Sequence, residues 1–131
     1  METIFLKIIK HEMAAPIIHE DVESMSFLDI NPVTHGHTLL ITKIPYTNMR
    51  DVPDELLGRM FIKAKKIMKA IEEGMGADYV QISVVGIDIP HFHIHLIPRF
   101  FKDQFPSTPT TIYLSDRHKR EVADKIIERI S

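Results

Sequence analysis

Three histidines alternate with bulky apolar residues in the run PHFHIHLIPR, residues 90–99, and this run constrains the chain more than any other stretch. Strict alternation over this length is typical of a β-strand with one buried face. The three intervening apolar side chains then point into the core, while His91, His93 and His95 line the opposite face. A shift of one residue in the pairing would turn all three imidazoles into the core, so the alternation also fixes the register.

The spacing of these histidines limits the chemistry that the strand can support. At about 3.3 Å per residue the outer two lie roughly 13 Å apart, so the three imidazoles cannot ligate one metal ion together. Two neighbours could bind a metal with ligands from elsewhere in the chain. Alternatively, the row of imidazoles grips a phosphate and the central His93 acts as a nucleophile. A hydrogen bond to its second ring nitrogen would then fix the tautomer.

The composition is that of an ordinary globular domain. Hydrophobic residues make up 44% and charged residues 26% of 131 positions, and the net charge is −2 with histidines neutral. This balance does not favour nucleic acid as a partner, although a small anionic ligand needs only local charge. The absence of cysteine excludes disulfides and thiolate metal sites and fits a reducing cytoplasm. No apolar run approaches the roughly 20 residues that a membrane span needs. Charged residues interrupt the N-terminal stretch, which makes it a poor signal peptide. We therefore expect a cytoplasmic protein that needs no membrane.

Periodicity along the rest of the chain predicts an α+β fold. The expected elements are a helix at 3–10, a hairpin at 17–28, a strand at 38–44, a long amphipathic helix from Pro53, a strand at 79–85 and a helix capped by Ser115. Together they indicate a five-stranded, mostly antiparallel sheet with one long helix and terminal helices packed on it.

Four smaller expectations concern single residues and one segment. Gly74 is expected to end the long helix as a C-cap. Residues 100–114 are expected to form an extended arm, and Arg99 to be a surface arginine at a strand end. The histidines outside the central run and its neighbouring block are expected to be solvated, namely His11, His19, His35 and His118.

The pattern His-x-His-x-His followed by two apolar residues resembles the histidine triad (HIT) family of nucleotide hydrolases and transferases. A second block, FLDINPVTHGHTLLI at 27–41, is similar to the family's nucleoside-binding segment, and residues 4–12 are similar to its opening helix. The resemblance covers about residues 3–100 and leaves the arm and helix at 101–131 outside it. It implies a single HIT domain over residues 1–131 and a twofold homodimer in which two sheets combine.

The resemblance also implies a mechanism. The family attacks the α-phosphorus of a nucleotide conjugate, here a purine nucleoside phosphoramidate or a dinucleoside polyphosphate. His93 matches the family's nucleophile, which displaces the leaving group before water releases the nucleoside monophosphate. His95 and His37 match residues that hydrogen-bond the phosphate oxygens, and His91 one that orders the strand and orients the nucleophile. Two successive displacements are the usual benefit of covalent catalysis.

By the same resemblance, Asp29 holds the ribose hydroxyls. On residue type alone it would serve equally as a turn residue before Asn31 and Pro32. The other expected nucleotide contacts are Ile18, Phe27, Leu28, Ile30, Asp88 and Ile89.

The chain departs from the family pattern in two places. Many relatives bind zinc through two cysteines and a histidine, where this chain has Thr3, Leu6 and Pro45, so we expect neither that metal site nor any cofactor. A longer polar loop of the relatives is reduced here to residues 86–89. Asp88 is its only ionisable residue, either as an acid for the leaving group, which requires a raised pKa, or as a solvated turn residue.

Two alternatives to the covalent hydrolase stay open. One is a metal-dependent hydrolase that uses two of the triad histidines together with Asp88 or Asp29. The other is a nucleotide-binding protein that keeps the pocket and has lost turnover, which the shortened loop makes credible.

Overall fold

The computed structural model describes residues 2–103 and 110–130 and contains one five-stranded sheet. Its strands are β1 (Ile17–Glu20), β2 (Ser24–Leu28), β3 (Thr38–Thr42), β4 (Tyr79–Ser83) and β5 (His93–Arg99). The α-helices are α1 (Ile4–Ile9), α2 (Asp54–Met75) and α3 (Asp116–Ile127), with a short 3₁₀ turn at Met49–Asp51. The strand order is β1-β2-β3-β5-β4 and all four pairings are antiparallel. The predicted α+β architecture is confirmed.

The histidine-bearing strand lies inside the sheet. β5 pairs with β3 on one side and β4 on the other, so that His93 lies opposite Ile41, and His95 opposite both Leu39 and Ser83. Two neighbours with complementary pleats hold this strand in register. The strand begins at His93, later than predicted, and the backbone N–H of Phe92 donates instead to the carbonyl of Tyr46 at 2.6 Å.

The two faces of the sheet are covered unequally. One face packs against α2 and α3, and its buried cluster includes Leu40, Met60, Ile71, Ile94, Leu96 and Ile126. The other face packs against the short α1, whose cluster comprises Phe5, Ile8, Met25, Phe27, Leu39 and Ile41. Because α1 has six residues, it covers only part of that face. The remainder is available for a ligand site.

Of the predictions for the chain from Arg99 onward, one is wrong, one lies partly outside the described residues and one is confirmed. Arg99 is 2% exposed, and its guanidinium pairs with both carboxylate oxygens of Asp103 at 2.8 and 2.9 Å. A turn follows β5, in which the N–H of Asp103 donates to the carbonyl of Phe100. This turn brings the carboxylate of Asp103 back to Arg99. Part of the predicted arm, residues 104–109, lies outside the described residues. Ser115 caps α3 as predicted, by accepting from the N–H of His118.

Within the described ranges, the helices lack either the length or the apolar character that crossing a membrane requires.

The long helix ends two residues later than predicted. Gly76, at φ +64°, terminates α2, and Gly74 lies in the last helical turn. A Cβ on Gly74 would lie 2.5 Å from the backbone carbonyl oxygen of Lys125 in α3. Gly74 is therefore needed for the close approach of two helices, a reason that local sequence does not reveal.

This contact gives a prediction about stability. Gly74→Ala should lower the free energy of unfolding by about 1–3 kcal/mol, because backbone atoms of α3 must move away. Gly58 lies in the same helix, and a Cβ added there would meet no described atom within 4 Å. Gly58→Ala should therefore raise stability by up to about 1 kcal/mol. Urea unfolding of both variants measures the difference. A stabilised Gly74→Ala protein would contradict the close packing of α2 on α3.

Candidate active site

A cavity of about 410 Å³ opens between α1 and the uncovered part of the sheet. Residues of α1 together with Phe27 and Leu39 form its apolar wall. Its polar wall consists of Asp29, Asn31, His37, Asp88, His93 and His95. The cavity therefore joins an apolar surface to a cluster of imidazoles and carboxylates, which is the usual composition of a small-molecule site.

His93 is held in one tautomer by the backbone. Its Nδ1 lies 2.7 Å from the carbonyl oxygen of His91, and because a carbonyl only accepts, Nδ1 carries the proton. In the neutral ring, Nε2 is then an unprotonated nitrogen on the cavity side. The ring is 2% exposed and packs edge-on against Phe5 at 5.0 Å between centroids. This is the geometry that an imidazole nucleophile requires.

His91 supports that arrangement from behind. Its Nε2–H donates to the carbonyl of Thr42 at 2.6 Å, which ties the chain before β5 to the end of β3. Burial lowers the pKa of His91, although the bond to Thr42 acts in the opposite direction. The contact fixes the carbonyl on which His93 depends, so His91 is suited to a positioning role.

A second pair of imidazoles forms a directed chain of hydrogen bonds. The backbone N–H of Val33 donates to His37 Nδ1 at 3.0 Å, so the proton of neutral His37 lies on Nε2. That nitrogen is 3.0 Å from His95 Nδ1, which must then accept. The remaining proton of His95 lies on Nε2, a buried atom without a hydrogen-bond partner among the described residues. His95 therefore offers an N–H donor to a ligand. Both ring nitrogens of His37 are already engaged, so the direct hydrogen bond to a phosphate oxygen that we predicted for His37 is not available in this arrangement.

Burial keeps both rings of this pair neutral at pH 7. It lowers the pKa of His37 to about 3, with further lowering by His95 and His93. Burial also lowers the pKa of His95, as does His93, while Asp88 opposes the effect. The hydrogen-bond direction deduced above requires neutral rings, so the electrostatics and the geometry agree.

Asp29 makes the turn contact that its sequence context predicts and also lines the cavity. Its Oδ1 accepts from the N–H of Asn31 at 2.9 Å, which is a turn contact. Its Oδ2 lies 3.5 Å from His37 Nε2, and the residue lines the cavity. Burial raises the pKa of this carboxyl, with the bond from Asn31 and the charge of His93 opposing the shift.

Asp88 lies directly against the nucleophilic atom. Its carboxylate oxygens are 3.3 and 3.4 Å from His93 Nε2, although its side chain is 49% exposed. Burial alone would raise the pKa of Asp88, but His93 and the N–H groups of residues 88 and 89 outweigh it and lower the pKa. The carboxyl is therefore ionised at neutral pH. The pKa of Asp88 is thus lowered, whereas a leaving-group acid needs a raised one. An ionised carboxylate only accepts, so its contact with Nε2 is a hydrogen bond only when that nitrogen also carries a proton, and attack by His93 requires that the proton has left.

Two residues expected beside the nucleotide lie elsewhere. Ile18 and Leu28 belong to the core that packs against α2 and α3, on the face opposite the cavity. The period of β2 explains this, because Phe27 and Leu28 are consecutive and must point to opposite faces. Their placement at the pocket is therefore wrong. Ile30 and Ile89 do line the cavity, as does Phe27.

A cluster that no sequence pattern signalled holds the 31–37 segment from behind. The hydroxyl of buried Tyr113 accepts from the N–H of Gly36 at 3.0 Å, and His35 Nε2 donates to the carbonyl of Ile112 at 2.8 Å. His35 stacks on Tyr113, and His118 packs edge-on against both rings. The expectation of solvated side chains is wrong for His35 and His118, which are half-buried. It holds for the exposed His11 and His19.

The residues at the family's zinc positions do not fit that metal. Thr3 uses its hydroxyl oxygen to cap α1, accepting from the N–H of Leu6 at 3.3 Å. Leu6 and Pro45 offer no side-chain ligand atom. Elsewhere in the described part of the chain, two groups place one ligand atom per residue within 4.8 Å of each other: Asp29 with His37 and His95, and Asp88 with His93 and His95.

Comparison with known proteins gives consistent matches. A family model described as HIT domain matches residues 10–102. The Arabidopsis thaliana protein adenylylsulfatase HINT3 is 35% identical over 107 residues, which are 78% of this chain and 54% of that protein. Adenosine 5'-monophosphoramidase HNT1 of Saccharomyces cerevisiae is 36% identical over 101 residues, which are 73% of this chain and 61% of that protein. The chain thus matches less than two thirds of either named enzyme.

Among solved structures, a zinc-bound histidine triad family protein from Mycobacterium smegmatis has a TM-score of 0.86. It is 27% identical, and the match covers 99% of this chain and 94% of that one.

Proposed function

The chain belongs to the HIT domain family, and from this premise we propose that it is a nucleotide hydrolase with His93 as its nucleophile. The substrate is a purine nucleoside phosphoramidate or a dinucleoside polyphosphate, cleaved at the α-phosphorus. The product is a nucleoside monophosphate. Relatives named as an adenylylsulfatase and an adenosine monophosphoramidase support hydrolysis of nucleotide conjugates.

One observation carries the proposal: the bond from His93 Nδ1 to the carbonyl of His91, with Nε2 on the cavity side. The Nε2 lone pair forms a bond to phosphorus, and the electron pair of the bond to the leaving group departs with that group. Water then attacks phosphorus, the N–P bond breaks and its electron pair returns to Nε2. The water releases one proton, and the nucleoside monophosphate leaves.

The chain of hydrogen bonds through His37 supplies stabilisation for the phosphoryl group. His95 Nε2–H has no partner among the described residues and would donate to a phosphoryl oxygen as negative charge develops there. Its orientation is set before substrate arrives, because Val33 fixes His37 and His37 fixes His95. A donor that needs no reorganisation during the reaction is worth more than a mobile one.

The rest of the cavity suits a nucleoside. The Oδ2 atom of Asp29 would accept from the ribose hydroxyls, while Oδ1 stays bonded to Asn31. Phe27, Ile30 and Ile89 offer an apolar wall for a purine base. This division between a polar end and an apolar end accounts for all of the nucleotide except its leaving group.

A substrate panel tests the proposal. Adenosine and guanosine 5'-phosphoramidates and dinucleoside polyphosphates are incubated with the protein, and release of AMP or GMP is followed by chromatography. We expect catalytic release from at least one class. Tight binding of the panel without release would favour the non-catalytic nucleotide-binding alternative.

The metal-dependent hydrolase is a second candidate, because two groups of one carboxylate and two imidazoles are close enough to hold an ion. The covalent mechanism needs no metal, so we predict that activity is unchanged by exhaustive chelation and that purified protein holds no stoichiometric zinc. Metal analysis and assays before and after chelation measure this. If activity disappears on chelation and returns when one divalent ion is added, the protein is a metal-dependent hydrolase that uses one of these two groups.

We also propose the twofold homodimer that the family resemblance implies. Within the described strands, β4 pairs only with β5, so its outer edge is available to the same edge of a second copy. Sedimentation equilibrium should return twice the chain mass of 15.1 kDa.

A further inference from the structure

We propose that Asp88 selects the leaving group by its charge, so that the site takes nucleoside phosphoramidates of cationic amines and disfavours anionic leaving groups. The inference rests on the proposed function and narrows it to one of its two substrate classes. A dinucleoside polyphosphate, whose leaving group is itself a nucleotide, would be a poor substrate.

The first argument is the charge of the cavity. Among the described residues, its lining contains two carboxylates, Asp29 and Asp88, and neither lysine nor arginine. His37 and His95 are kept neutral by burial, so they offer N–H groups without positive charge. His93 must itself be neutral at Nε2 to attack. A polyphosphate therefore meets no fixed cation among these lining residues, whereas anion sites in proteins commonly supply one.

The second argument is the position of Asp88. Its oxygens lie 3.3 and 3.4 Å from His93 Nε2, which is where the phosphorus of a bound substrate must come. The side chain is 49% exposed, so this carboxylate lies where the cavity meets solvent. A phosphoryl group that reaches Nε2 has to displace the carboxylate from that nitrogen, and in an in-line displacement the leaving group lies beyond phosphorus, on the side away from the nucleophile. Asp88 therefore acts on the leaving group through its charge across the cavity and not through a direct contact.

The third argument is chemical. Cleavage of a P–N bond is easiest when the nitrogen is protonated, because the amine then leaves as a neutral molecule. As Nε2 bonds to phosphorus, the P–N electron pair passes to the protonated nitrogen and neutralises its charge. An ionised carboxylate in the same cavity favours the protonated form of the substrate through its charge. A negatively charged oxygen leaving group would instead be repelled by Asp88, with no proton supplied.

The test uses three phosphoramidates of the same nucleoside that differ only in remote charge. Their amines are 2-aminoethylamine, propylamine and β-alanine, which leave the far end positive, neutral and negative. In the wild type, kcat/KM should fall by at least about tenfold from the positive to the negative compound, since the ionised carboxylate attracts the first and repels the second. In Asp88→Asn the three values should come together to within about threefold.

Asp29→Asn provides the matched control, a second cavity carboxylate that faces the ribose. It should lower kcat/KM for all three compounds and keep a larger part of the wild-type spread than Asp88→Asn does, because Asp29 faces the ribose and not the leaving group. Added salt should narrow the spread in the wild type, because the mouth is exposed to solvent. A wild type without charge preference, or an Asp88→Asn protein that keeps it, would overturn the assignment.

The design separates this inference from the proposed function. If the wild type releases no nucleotide from any of the three compounds, the hydrolase proposal fails. Charge selection is then tested by measuring the affinities of the same three compounds for the wild type and for Asp88→Asn. The same order of affinities, lost in the variant, supports Asp88 as the selecting residue, and equal affinities refute it.

Discussion

Replacement of His93 with alanine is expected to lower kcat by at least about 10³-fold and to leave nucleotide affinity within about tenfold of the wild type. The variant loses the atom that attacks phosphorus and keeps the groups that would bind ribose, base and phosphate. Turnover assays and calorimetry with a nucleoside monophosphate measure the two quantities. More than a few per cent of wild-type turnover in the variant would show that His93 is not the nucleophile.

A chemical test accompanies that variant. Wild-type protein quenched during turnover should carry a nucleotidyl group on His93 that is stable in alkali and labile in acid. His93→Ala should carry none. Mass spectrometry of the digested protein locates the group, and a label on a different histidine would assign the nucleophile to that residue.

Removal of either imidazole from the hydrogen-bonded pair His37–His95 should have the next largest effect. We expect each alanine variant to lower kcat by about 10²–10³-fold, the usual cost of one preorganised donor to a developing negative charge. The double variant should be no slower than about the His95→Ala protein, because His37 acts only through His95. Full multiplication of the two losses would show that the residues act independently.

His19→Ala is the matched control for this pair, because His19 lies exposed on β1 and does not line the cavity. It should retain wild-type kcat. Urea unfolding of every variant separates a catalytic loss from a loss of fold, which is necessary because His37 is buried.

Much of the site followed from local pattern. The period of two around residues 90–99 places Phe92, Ile94 and Leu96 on one face, and His93 and His95 on the other, as the structure has them. The same rule, applied to β2, would have separated Phe27 from Leu28. The prediction for Leu28 was therefore wrong, although the alternation within β2 indicates the correct face for this residue.

Other features depend on parts of the chain that pattern does not connect. Gly74 is next to Lys125 and Tyr113 is next to Gly36 only because helices and loops pack that way. Arg99 is buried, and a turn brings Asp103 back to pair with it. At such positions, the residue type and its sequence neighbours predict exposure to solvent or a helix cap. The packing of the folded chain gives these residues other contacts.

Local sequence was sufficient for the fold class, the strand that carries the histidines and the face on which they lie, because side-chain alternation and amphipathic periodicity are local properties. Periodicity does not establish which atom of each imidazole is available, because this depends on the exact path of the backbone around the ring. The carbonyl of His91 keeps the proton on Nδ1 of His93, and the N–H of Val33 directs the proton of His37 toward His95. The contact of Asp88 with the nucleophile spans only five positions, but it depends on the path of a short connection that is held by the elements at both its ends. Periodicity specifies the face of a strand on which a side chain lies. The hydrogen bond between His37 and His95 joins residues 58 positions apart, so it exists only once the sheet has formed.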